Sequence, residues 1–460
     1  MLDRGTRIHL VGIGGIGLSA IARVLHGWGY AVSGSDREAT ALTNALAAEG
    51  ITVYAGHRAE QVAGADLVII SSAVPADNPE TVEAKRKGVP VVKREQFLGE
   101  LTASKTTIAV AGTHGKTTTS AMIAWILVEA GLDPTFVVGG VLQNLGTNAR
   151  AGRGPHFVIE ADEYDRTFLG LQPDVAVVTI LEHDHPDSYP TFQEMRVAFA
   201  SFARQVVPGG LLVVCGDDEE ALHLSGLVGP ERRVETYGLE QTWNWRAQGV
   251  QLGNSAGFEV WHGSKRLGTC ALQVPGQHNV LNALAALAAS SGVGIDFGTA
   301  AAALTRYRGT ERRFQVKGQA GGVTVVDDYA HHPTEIRVTL AAARLKYPGR
   351  RLWAIFQPHT YSRTAALLED FMQAFDQADE VIVTGIYAAR EHEVESISGA
   401  DLVAGMEHAS ARYIEDLANA ADRLAGQVQP GDIVVTLGAG DVHLVGQWLL
   451  EKLRAKEAVQ

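Results

Sequence analysis

One stretch constrains the fold of this chain more than any other: residues 107–131, which read TIAVAGTHGKTTTSAMIAWILVEAG. An apolar run with β-branched residues comes first, and it ends at Gly112. A short loop follows, and then an almost wholly apolar segment, 121–128, that stops at Gly131. The pattern predicts a buried strand, a glycine-rich turn and a helix.

The turn predicts a site for a nucleoside triphosphate. Small residues let backbone N–H groups face phosphate oxygens, Lys116 can reach the β and γ phosphates, and the Thr117 hydroxyl can bind Mg²⁺. The loop GTHGKT, 112–117, is shorter than the usual G-x-x-x-x-G-K-[ST] spacing, which would need a glycine at Val110. A chance GKT in a glycine-rich chain is the competing interpretation, and the flanking strand and helix favour the nucleotide site.

Length and charge exclude several classes of protein. A chain of 460 residues predicts three domains of ordinary size, and 46 % hydrophobic with 20 % charged residues is typical of a soluble globular protein. The net charge of −13 argues against a general binder of nucleic acid or anionic membranes. Cys215 and Cys270 form neither a metal spacing nor a disulfide framework, and no leader precedes the first strand. We therefore expect a cytoplasmic protein, a monomer or weak homodimer.

The N-terminal region predicts a dinucleotide-type fold. Residues 7–17, RIHLVGIGGIG, combine a strand with G-x-G-x-x-G spacing, and Asp36 lies about 20 residues further on, where an acid that binds ribose is expected. NAD is the obvious ligand, but the same geometry holds any diphosphate-ribose, including UDP-sugars. A later strand ends in two serines, which serve equally well as ligand contacts or turn residues. The candidate contacts are Gly14, Gly15, Ile16, Gly17, Asp36, Ser71 and Ser72.

Two further strands end in acidic residues and histidines. FVIE delivers Glu160 to a strand end, and the buried strand of 174–190 ends in EHDHPD, which includes His185. Beside a triphosphate loop this pattern favours Mg²⁺ ligation over a solvated acidic rim. The histidine cluster leaves a zinc site as an alternative, but no cysteine or H-E-x-x-H pattern supports it. The glycine- and asparagine-rich segment 137–150 is predicted to be a loop near the site.

The second half of the chain adds a helix and a third domain. Asn279 and Asn282 share one face of the first turn of that helix, so they could read an adenine; from spacing alone, capping by Asn279 is favoured. Apolar strands then alternate with helices in a second dinucleotide-like pattern, with polar residues at each carboxyl end. That repetition predicts a cleft that faces the ATP-binding domain.

The motifs GTHGKTTT, EADEYD, HDHPD, GQHNVLNALAA, YRGTERRFQ, DDYAHHPTE and QPHTYSRT occur in this order, and together they resemble the Mur ligase family over the whole chain. The resemblance implies an α/β protein of three domains. These are a Rossmann-like UDP-sugar domain (1–103), a central P-loop ATPase-type domain with a mostly parallel sheet (104–308), and a Rossmann-like domain that closes over ATP and the amino acid (309–460).

The resemblance also implies roles for individual residues. The catalytic residues would be Lys116, Glu160, His185 and Arg313, with Thr117 and Glu160 on one Mg²⁺ and His185 on a second. Asn279 and Asn282 would read the adenine after all, and Asp328 would lie near the ribose. The phosphate loop would comprise Gly112, Thr113, His114, Gly115, Lys116, Thr117 and Thr118, and the third-domain substrate contacts His331, His332, His359 and Arg363.

The implied reaction is ATP-dependent ligation of L-alanine to the lactyl carboxylate of UDP-N-acetylmuramate through an acyl phosphate. The alternatives are a recycling ligase that adds the stem tripeptide and, more remotely, a nicotinamide-dependent oxidoreductase or a non-catalytic nucleotide-gated module. Several sister ligases carry a carbamylated lysine in the central domain, but this sequence has no lysine between Lys116 and Lys265. We therefore expect activity that does not depend on bicarbonate.

Overall fold

The chain folds around three β-sheets, one in each of three α/β domains, as predicted. The computed structural model describes residues 5–71, 73–389, 391 and 397–458. Most neighbouring strands in these sheets are parallel, and parallel strands need crossover connections, which helices largely supply. Within the described residues, no helix combines the length and the apolar character needed to cross a membrane.

The N-terminal domain holds a five-stranded parallel sheet. Its elements are β1 (Arg7–Val11), α1 (Ile16–Gly27), β2 (Ala31–Asp36), α2 (Ala41–Ala48), β3 (Thr52–Ala55), β4 (Leu67–Ile70), α3 (Pro79–Arg86), β5 (Val91–Lys93) and α4 (Arg94–Thr102). The strand order is β3-β2-β1-β4-β5, so the order reverses next to β1. Ligands bind such sheets at the carboxyl ends of the strands at that reversal, where the glycine loop after β1 lies.

The central domain holds a ten-stranded sheet in the order β15-β14-β13-β12-β11-β10-β6-β9-β7-β8. Its strands are β6 (Thr106–Ala111), β7 (Thr135–Leu142), β8 (Thr147–Arg150), β9 (His156–Glu160), β10 (Val175–Val178), β11 (Leu211–Cys215), β12 (Arg233–Gly238), β13 (Trp245–Leu252), β14 (Ala256–His262) and β15 (Lys265–Leu272). Its helices are α5 (Lys116–Glu129), α6 (Phe192–Arg204), α7 (Glu219–His223), α8 (Gln277–Gly292) and α9 (Phe297–Thr305). Helix α5 is buried on nearly all sides because it packs between the sheet, α8 and α9.

The C-terminal domain holds a six-stranded sheet in the order β16-β17-β21-β18-β19-β20, antiparallel only between β16 and β17. Its strands are β16 (Gln315–Ala320), β17 (Val323–Asp328), β18 (Leu352–Phe356), β19 (Glu380–Val383), β20 (Arg412–Tyr413) and β21 (Ile433–Leu437). Its helices are α10 (Pro333–Lys346), α11 (Tyr361–Ala366), α12 (Leu368–Met372), α13 (Gly399–Gly405), α14 (Leu417–Gln427) and α15 (His443–Glu457). One apolar cluster covers each face of this sheet.

The two interfaces of the central domain differ in chemistry. A single apolar core runs from the N-terminal domain into the central domain, where the Trp28 ring meets the edge of Phe157 at 6.2 Å between centroids. The C-terminal domain has apolar clusters of its own and meets the central domain through hydrogen bonds and ion pairs such as Arg363–Asp184. The first interface is therefore apolar, and the second is formed by polar and charged groups.

One local prediction was wrong. Residues 137–150 were expected to form a loop, but β7 and β8 form an antiparallel hairpin that turns between Leu142 and Thr147. Val137, Leu142 and Ala149 are buried in the two strands and supply the apolar contacts of the hairpin. Asn144 and Gly146 occupy the turn and Gly139 is exposed, whereas Asn148 is buried in β8 and donates to the Val138 carbonyl.

Candidate active site

The phosphate loop has the geometry that its glycines predicted. Gly112 and Gly115 both have positive φ, at 129° and 83°, and α5 begins directly after Gly115. A Cβ on Gly112 would collide with the Thr179 hydroxyl, and one on Gly115 would come within 2.5 Å of Asn282 Oδ1. The loop therefore accepts only glycine at these positions and keeps the helix N-terminus open to an anion.

The Lys116 ammonium folds back over this loop. Its Nζ donates to the carbonyl oxygens of Gly112 at 2.6 Å and Thr113 at 3.0 Å, and to Glu163 Oε1 at 2.8 Å. Burial acts to lower the pKa of Lys116, but the carboxylates of Glu163 and Glu160 outweigh it and raise that pKa. Lys116 thus stays a cation beside the phosphate position.

Glu160 and Thr117 form a set of oxygen ligands next to the loop. The Thr117 hydroxyl donates to Glu160 Oε1 at 2.9 Å, and the Gly139 N–H of the β7–β8 hairpin donates to Oε2 at 2.6 Å. Burial raises the pKa of Glu160, partly offset by the charge of Lys116. A hydroxyl and a carboxylate at the mouth of a phosphate loop fit the hard oxygen ligands that Mg²⁺ prefers.

Glu163 connects the loop to His185. Its Oε1 lies 2.8 Å from Lys116 Nζ and 3.4 Å from His185 Nε2, and its side chain is 1 % exposed. Among the described residues, Glu163 Oε2 has no hydrogen-bond partner. The sequence analysis gave Glu163 no role, although it stands three positions after Glu160 in the EADEYD motif.

Asn279 and Asn282 do not cap α8, because the helix begins at Gln277 with Gly276 as its N-cap. Both side chains are buried: Asn279 Nδ2 donates to the Pro275 carbonyl at 2.7 Å, and Asn282 Nδ2 donates to Asn279 Oδ1 at 3.2 Å. The capping interpretation of Asn279 was therefore wrong. The pair instead places amide groups beside Gly115, within reach of a ligand at the phosphate loop.

A cluster of histidines and carboxylates joins the loop to the C-terminal domain. His114 Nε2 lies 3.2 Å from Glu182 Oε2, and its Nδ1 lies 3.2 Å from Glu335 Oε1. Burial acts to lower the pKa of His114, but the two carboxylates outweigh it and raise that pKa to about 9. Glu335 also contacts Arg313 Nη1 at 3.3 Å and the His331 ring at 3.2 Å. Glu182 belongs to the EHDHPD strand end that the sequence analysis associated with Mg²⁺, whereas Glu335 is a site residue that it did not single out.

A second buried ion pair crosses the same interface. The Arg363 guanidinium donates to Asp184 Oδ1 at 2.9 Å, both side chains are about 5 % exposed or less, and Nη1 lies 3.1 Å from His359 Nδ1. Burial lowers the pKa of His359 to about 4, and the charge of Arg363 adds to that effect. Burial likewise lowers the pKa of His331 to about 3. These imidazoles are therefore neutral at physiological pH and can accept a hydrogen bond.

Asp328 and His332 end the strand and begin the helix at this edge of the C-terminal domain. The Asp328 carboxylate accepts the N–H groups of Phe314 at 2.7 Å and Ala330 at 2.8 Å. Burial raises the pKa of Asp328 to about 6 against the opposing charge of Arg313. His332 is the N-cap of α10, and burial lowers its pKa to about 4.

The glycine loop of the N-terminal domain forms a separate cluster. The Gly14 N–H donates to Asp36 Oδ2 at 2.8 Å, Gly15 is the N-cap of α1, and Ile16 is 51 % exposed. A Cβ on Gly17 would collide with the guanidinium of Arg94, which also donates to Asp162 Oδ2 at 3.2 Å. Arg94 was not predicted, and it places a cation between the two nucleotide loops. Ser71 follows β4, and Ser72 lies outside the described residues.

Comparison with known proteins explains this combination of loops. Three family models match nearly the whole chain: "Mur ligase family, catalytic domain" over 7–106, "Mur ligase middle domain" over 110–290 and "Mur ligase, glutamate ligase domain" over 312–440. This chain belongs to the Mur ligase family.

Relatives of this Mur ligase span its full length. The UDP-N-acetylmuramate–L-alanine ligase of Geotalea uraniireducens is 47 % identical over 99 % of both chains. That of Salinibacter ruber is 45 % identical over 98 % of this chain and 96 % of the relative. Among solved structures, the UDP-N-acetylmuramate–alanine ligase of Thermotoga maritima has a TM-score of 0.83 at 32 % identity, covering 98 % of this chain and 99 % of the other. The murein peptide ligase of Psychrobacter arcticus has a TM-score of 0.72 at 27 % identity, with the same coverage.

The structure of this Mur ligase brings the predicted residues together in two groups. The glycine loop, Asp36 and Ser71 lie at the carboxyl edge of the N-terminal sheet, and the other described residues lie where the central and C-terminal domains meet. Arg94 and Glu335 were missing from the prediction, and each links elements that are distant in sequence. Glu163 and Glu182 were recognised only as acids directly behind strand ends.

Proposed function

We propose that this Mur ligase joins L-alanine to the lactyl carboxylate of UDP-N-acetylmuramate at the expense of ATP, in cytoplasmic peptidoglycan precursor synthesis. The observation that carries the proposal is the near-full-length identity of 45–47 % to relatives with that name. The substrates are UDP-N-acetylmuramate, L-alanine and ATP, the functional unit is a monomer or weak homodimer, and neither nucleic acid nor a membrane is a partner.

Each domain has one task in this proposal. Residues 1–103 hold the UDP-sugar, 104–308 hold ATP, and 309–460 close over ATP and the amino acid. Gly14, Gly15, Ile16 and Gly17 surround the UDP pyrophosphate at the N-terminus of α1, and Asp36 accepts from a ribose hydroxyl. Ser71 follows the neighbouring strand and would contact the same ligand; Ser72, assigned to that ligand with it, lies outside the described residues.

The phosphate loop and α8 hold ATP. The N–H groups of residues 112–118 and the Lys116 ammonium bind the phosphates, and Asn279 with Asn282 reads the adenine. Support for this arrangement comes from the positive φ of Gly112 and Gly115 and from the burial of both amides beside the loop. Asp328, at the end of β17, approaches the ribose from the C-terminal domain.

Thr117 and Glu160 would hold one Mg²⁺ through oxygen atoms, and His185 would contribute to a second. Bound Mg²⁺ neutralises charge on the transferring phosphoryl group. Glu163 holds Lys116 and His185 on either side of one carboxylate, and so keeps both groups aimed at the phosphate position. The hairpin N–H of Gly139 fixes the orientation of Glu160.

In the first step the lactyl carboxylate displaces ADP from the γ-phosphoryl group and becomes an acyl phosphate. Lys116 and Arg313 neutralise negative charge as it spreads over the transferring group. In the second step the amine of L-alanine attacks the acyl carbon, loses a proton and expels inorganic phosphate. His331, His332, His359 and Arg363 surround the amino acid in this proposal, and the neutral imidazoles among them are suited to accept hydrogen bonds from its amine.

Phosphate release with ATP, Mg²⁺ and UDP-N-acetylmuramate tests the proposal, with L-alanine compared against the stem tripeptide and product mass measured in parallel. We expect release and a mass gain of one alanine residue with L-alanine alone. Activity with the tripeptide and none with alanine would assign the chain to recycling ligases instead. No turnover with either amine would contradict both assignments.

A further inference from the structure

We propose that His114, Glu182 and His332 form a binding site for a transition-metal dication such as Zn²⁺, at the interface of the central and C-terminal domains. His114 lies on the phosphate loop and Glu182 follows β10, both in the central domain, whereas His332 begins α10 in the C-terminal domain. The set is distinct from Thr117, Glu160 and His185, to which the proposed function assigns Mg²⁺.

The three side chains already converge on one point. Glu182 Oε2 lies 3.2 Å from His114 Nε2 and 3.5 Å from His332 Nδ1, and one ligand atom from each residue lies within 4.8 Å of the others. Bond lengths of 2.0–2.1 Å place neighbouring ligands of a tetrahedral zinc ion about 3.3 Å apart. The two distances from Glu182 to the histidines therefore fit a zinc ion without movement. A small rotation of the imidazoles would bring the third distance, between the two histidines, into range.

The surroundings of the imidazoles match those of metal ligands. His114 Nδ1 lies 3.2 Å from Glu335 Oε1, and a metal-bound histidine typically donates its other ring N–H to such a carboxylate. His332 Nδ1 accepts the N–H of Thr334 at a long 3.3 Å, so this nitrogen carries a lone pair and no proton. A bound ion replaces that weak helix cap at little cost.

The donor set selects the metal. Two imidazoles and one carboxylate suit Zn²⁺, Co²⁺ or Ni²⁺, whereas Mg²⁺ prefers oxygen ligands alone. The Glu182 side chain is 36 % exposed, so an ion has a route from solvent and a water can occupy the fourth position. Because its ligands come from two domains, the ion would hold the domains together and oppose their separation.

Metal binding by the full chain, without ATP or UDP-sugar, tests the site. The protein is stripped with chelator and titrated with Zn²⁺ against a chromophoric competitor in excess Mg²⁺. We expect one Zn²⁺ per chain, and an affinity that Glu182→Gln and His332→Gln each lower by more than about tenfold. Glu335 contacts His114 at Nδ1, the ring nitrogen that faces away from the metal position. We expect the Zn²⁺ affinity of Glu335→Gln to lie between those of the parent and the two ligand variants, within the roughly 10- to 100-fold range of outer-shell partners.

Co²⁺ provides a spectroscopic readout. A site with two histidines and one carboxylate gives the intense visible absorption of tetrahedral Co²⁺, and the two ligand variants lose it. His262→Gln is the matched control, since that histidine also contacts a carboxylate, Glu235 at 3.2 Å, far from the cluster. We expect His262→Gln to bind one Zn²⁺ per chain and to keep the visible absorption of bound Co²⁺.

Two results would overturn the proposal: no Zn²⁺ retained at one equivalent, or equal affinity in the parent and both ligand variants. Circular dichroism of each variant separates loss of the site from loss of the fold. Since no substrate is present, failure of this experiment leaves the proposed ligase reaction untouched, and failure of the ligase assay leaves the metal site untouched.

Discussion

Lys116 illustrates how one side chain is prepared for its task by its neighbours. The ammonium contacts two loop carbonyls and Glu163, so it lies over the loop beside the position proposed for the phosphates. Burial and a fixed carboxylate partner reduce the reorganisation needed when an anion arrives. The residue is therefore held in place in advance by Glu163.

Replacing Lys116 by alanine removes the cation that, in the proposed reaction, faces the transferring phosphoryl group. We expect kcat to fall by at least about 10²- to 10³-fold, the cost of removing one preorganised donor. Phosphate release under saturating substrates measures the effect. Since the substitution also leaves Glu163 buried without its partner, Lys116→Met combined with Glu163→Gln serves as the folding control. Near-normal turnover in either variant would remove Lys116 from the mechanism.

The absence of lysine between Lys116 and Lys265 leads to a second residue-scale prediction. A carbamylated lysine in this span is impossible, so CO₂ has no site there on which to act. We expect the rate of phosphate release to be the same in CO₂-depleted buffer and in buffer with added bicarbonate. A loss of activity on depletion that bicarbonate restores would contradict this expectation.

At the scale of elements, the β7–β8 hairpin orients Glu160, the proposed Mg²⁺ ligand. The Gly139 N–H holds Glu160 Oε2, and a Cβ at residue 139 would come within 2.5 Å of the same oxygen. We expect Gly139→Ala to displace the carboxylate and to weaken the apparent Mg²⁺ affinity in the ligase assay by about tenfold. Gly253→Ala, where a Cβ meets nothing within 4 Å, is the control. Unchanged Mg²⁺ dependence in Gly139→Ala would show that the hairpin does not position Glu160.

At the scale of the whole molecule, the C-terminal domain docks on the central domain through buried charges. Arg363→Met removes the guanidinium partner of the buried Asp184 carboxylate and leaves it only the His185 ring at 3.7 Å as an ion-pair partner, which costs about 3–5 kcal/mol of unfolding free energy. Adding Asp184→Asn should recover much of that loss, because the uncompensated charge is gone. Urea unfolding of the parent, both single variants and the double variant measures the coupling.

An exposed pair provides the comparison for this cycle. The Arg306–Glu129 ion pair is largely open to solvent, so Arg306→Met should cost at most about 1 kcal/mol. An equal loss of unfolding free energy in Arg363→Met and Arg306→Met would mean that the buried pair contributes nothing specific to domain docking.

The stability of the same interface should depend on pH through the protonation of His114. Its pKa of about 9 in the folded state lies above the usual 6.5, because Glu182 and Glu335 flank the ring and outweigh burial and neighbouring His332. The folded state therefore binds this proton more tightly, and the resulting stabilisation, about 3 kcal/mol, is complete below pH 6.5 and is lost as the pH rises through about 9.

Unfolding of the metal-free parent and His114→Gln in chelator, from about pH 6 to about pH 10, measures this contribution. The stability difference between the two proteins should shrink as the pH rises. A difference that stays constant or grows would mean that His114 is not a protonated bridge between the two carboxylates.

Most of the architecture was predictable because its signals are local. A buried strand, a glycine turn and a helix follow each other within 25 residues around Lys116, and apolar strands that end in polar residues identified parallel sheets in all three domains. The strand ends also located the site, since parallel strands of one sheet present their carboxyl ends at the same edge. These features depend on backbone conformation and apolar burial, which short stretches of sequence determine.

Only the tertiary structure decided which side chains meet. Arg94 reaches Asp162, Glu163 joins Lys116 to His185, and Glu335 joins His114 to Arg313, each across elements that are distant in sequence. The hairpin at 137–150 and the buried amide of Asn279 were misjudged for the same reason. Spacing along the chain determines what a residue can do locally, whereas hydrogen-bond and charge partners depend on how separate elements pack in space.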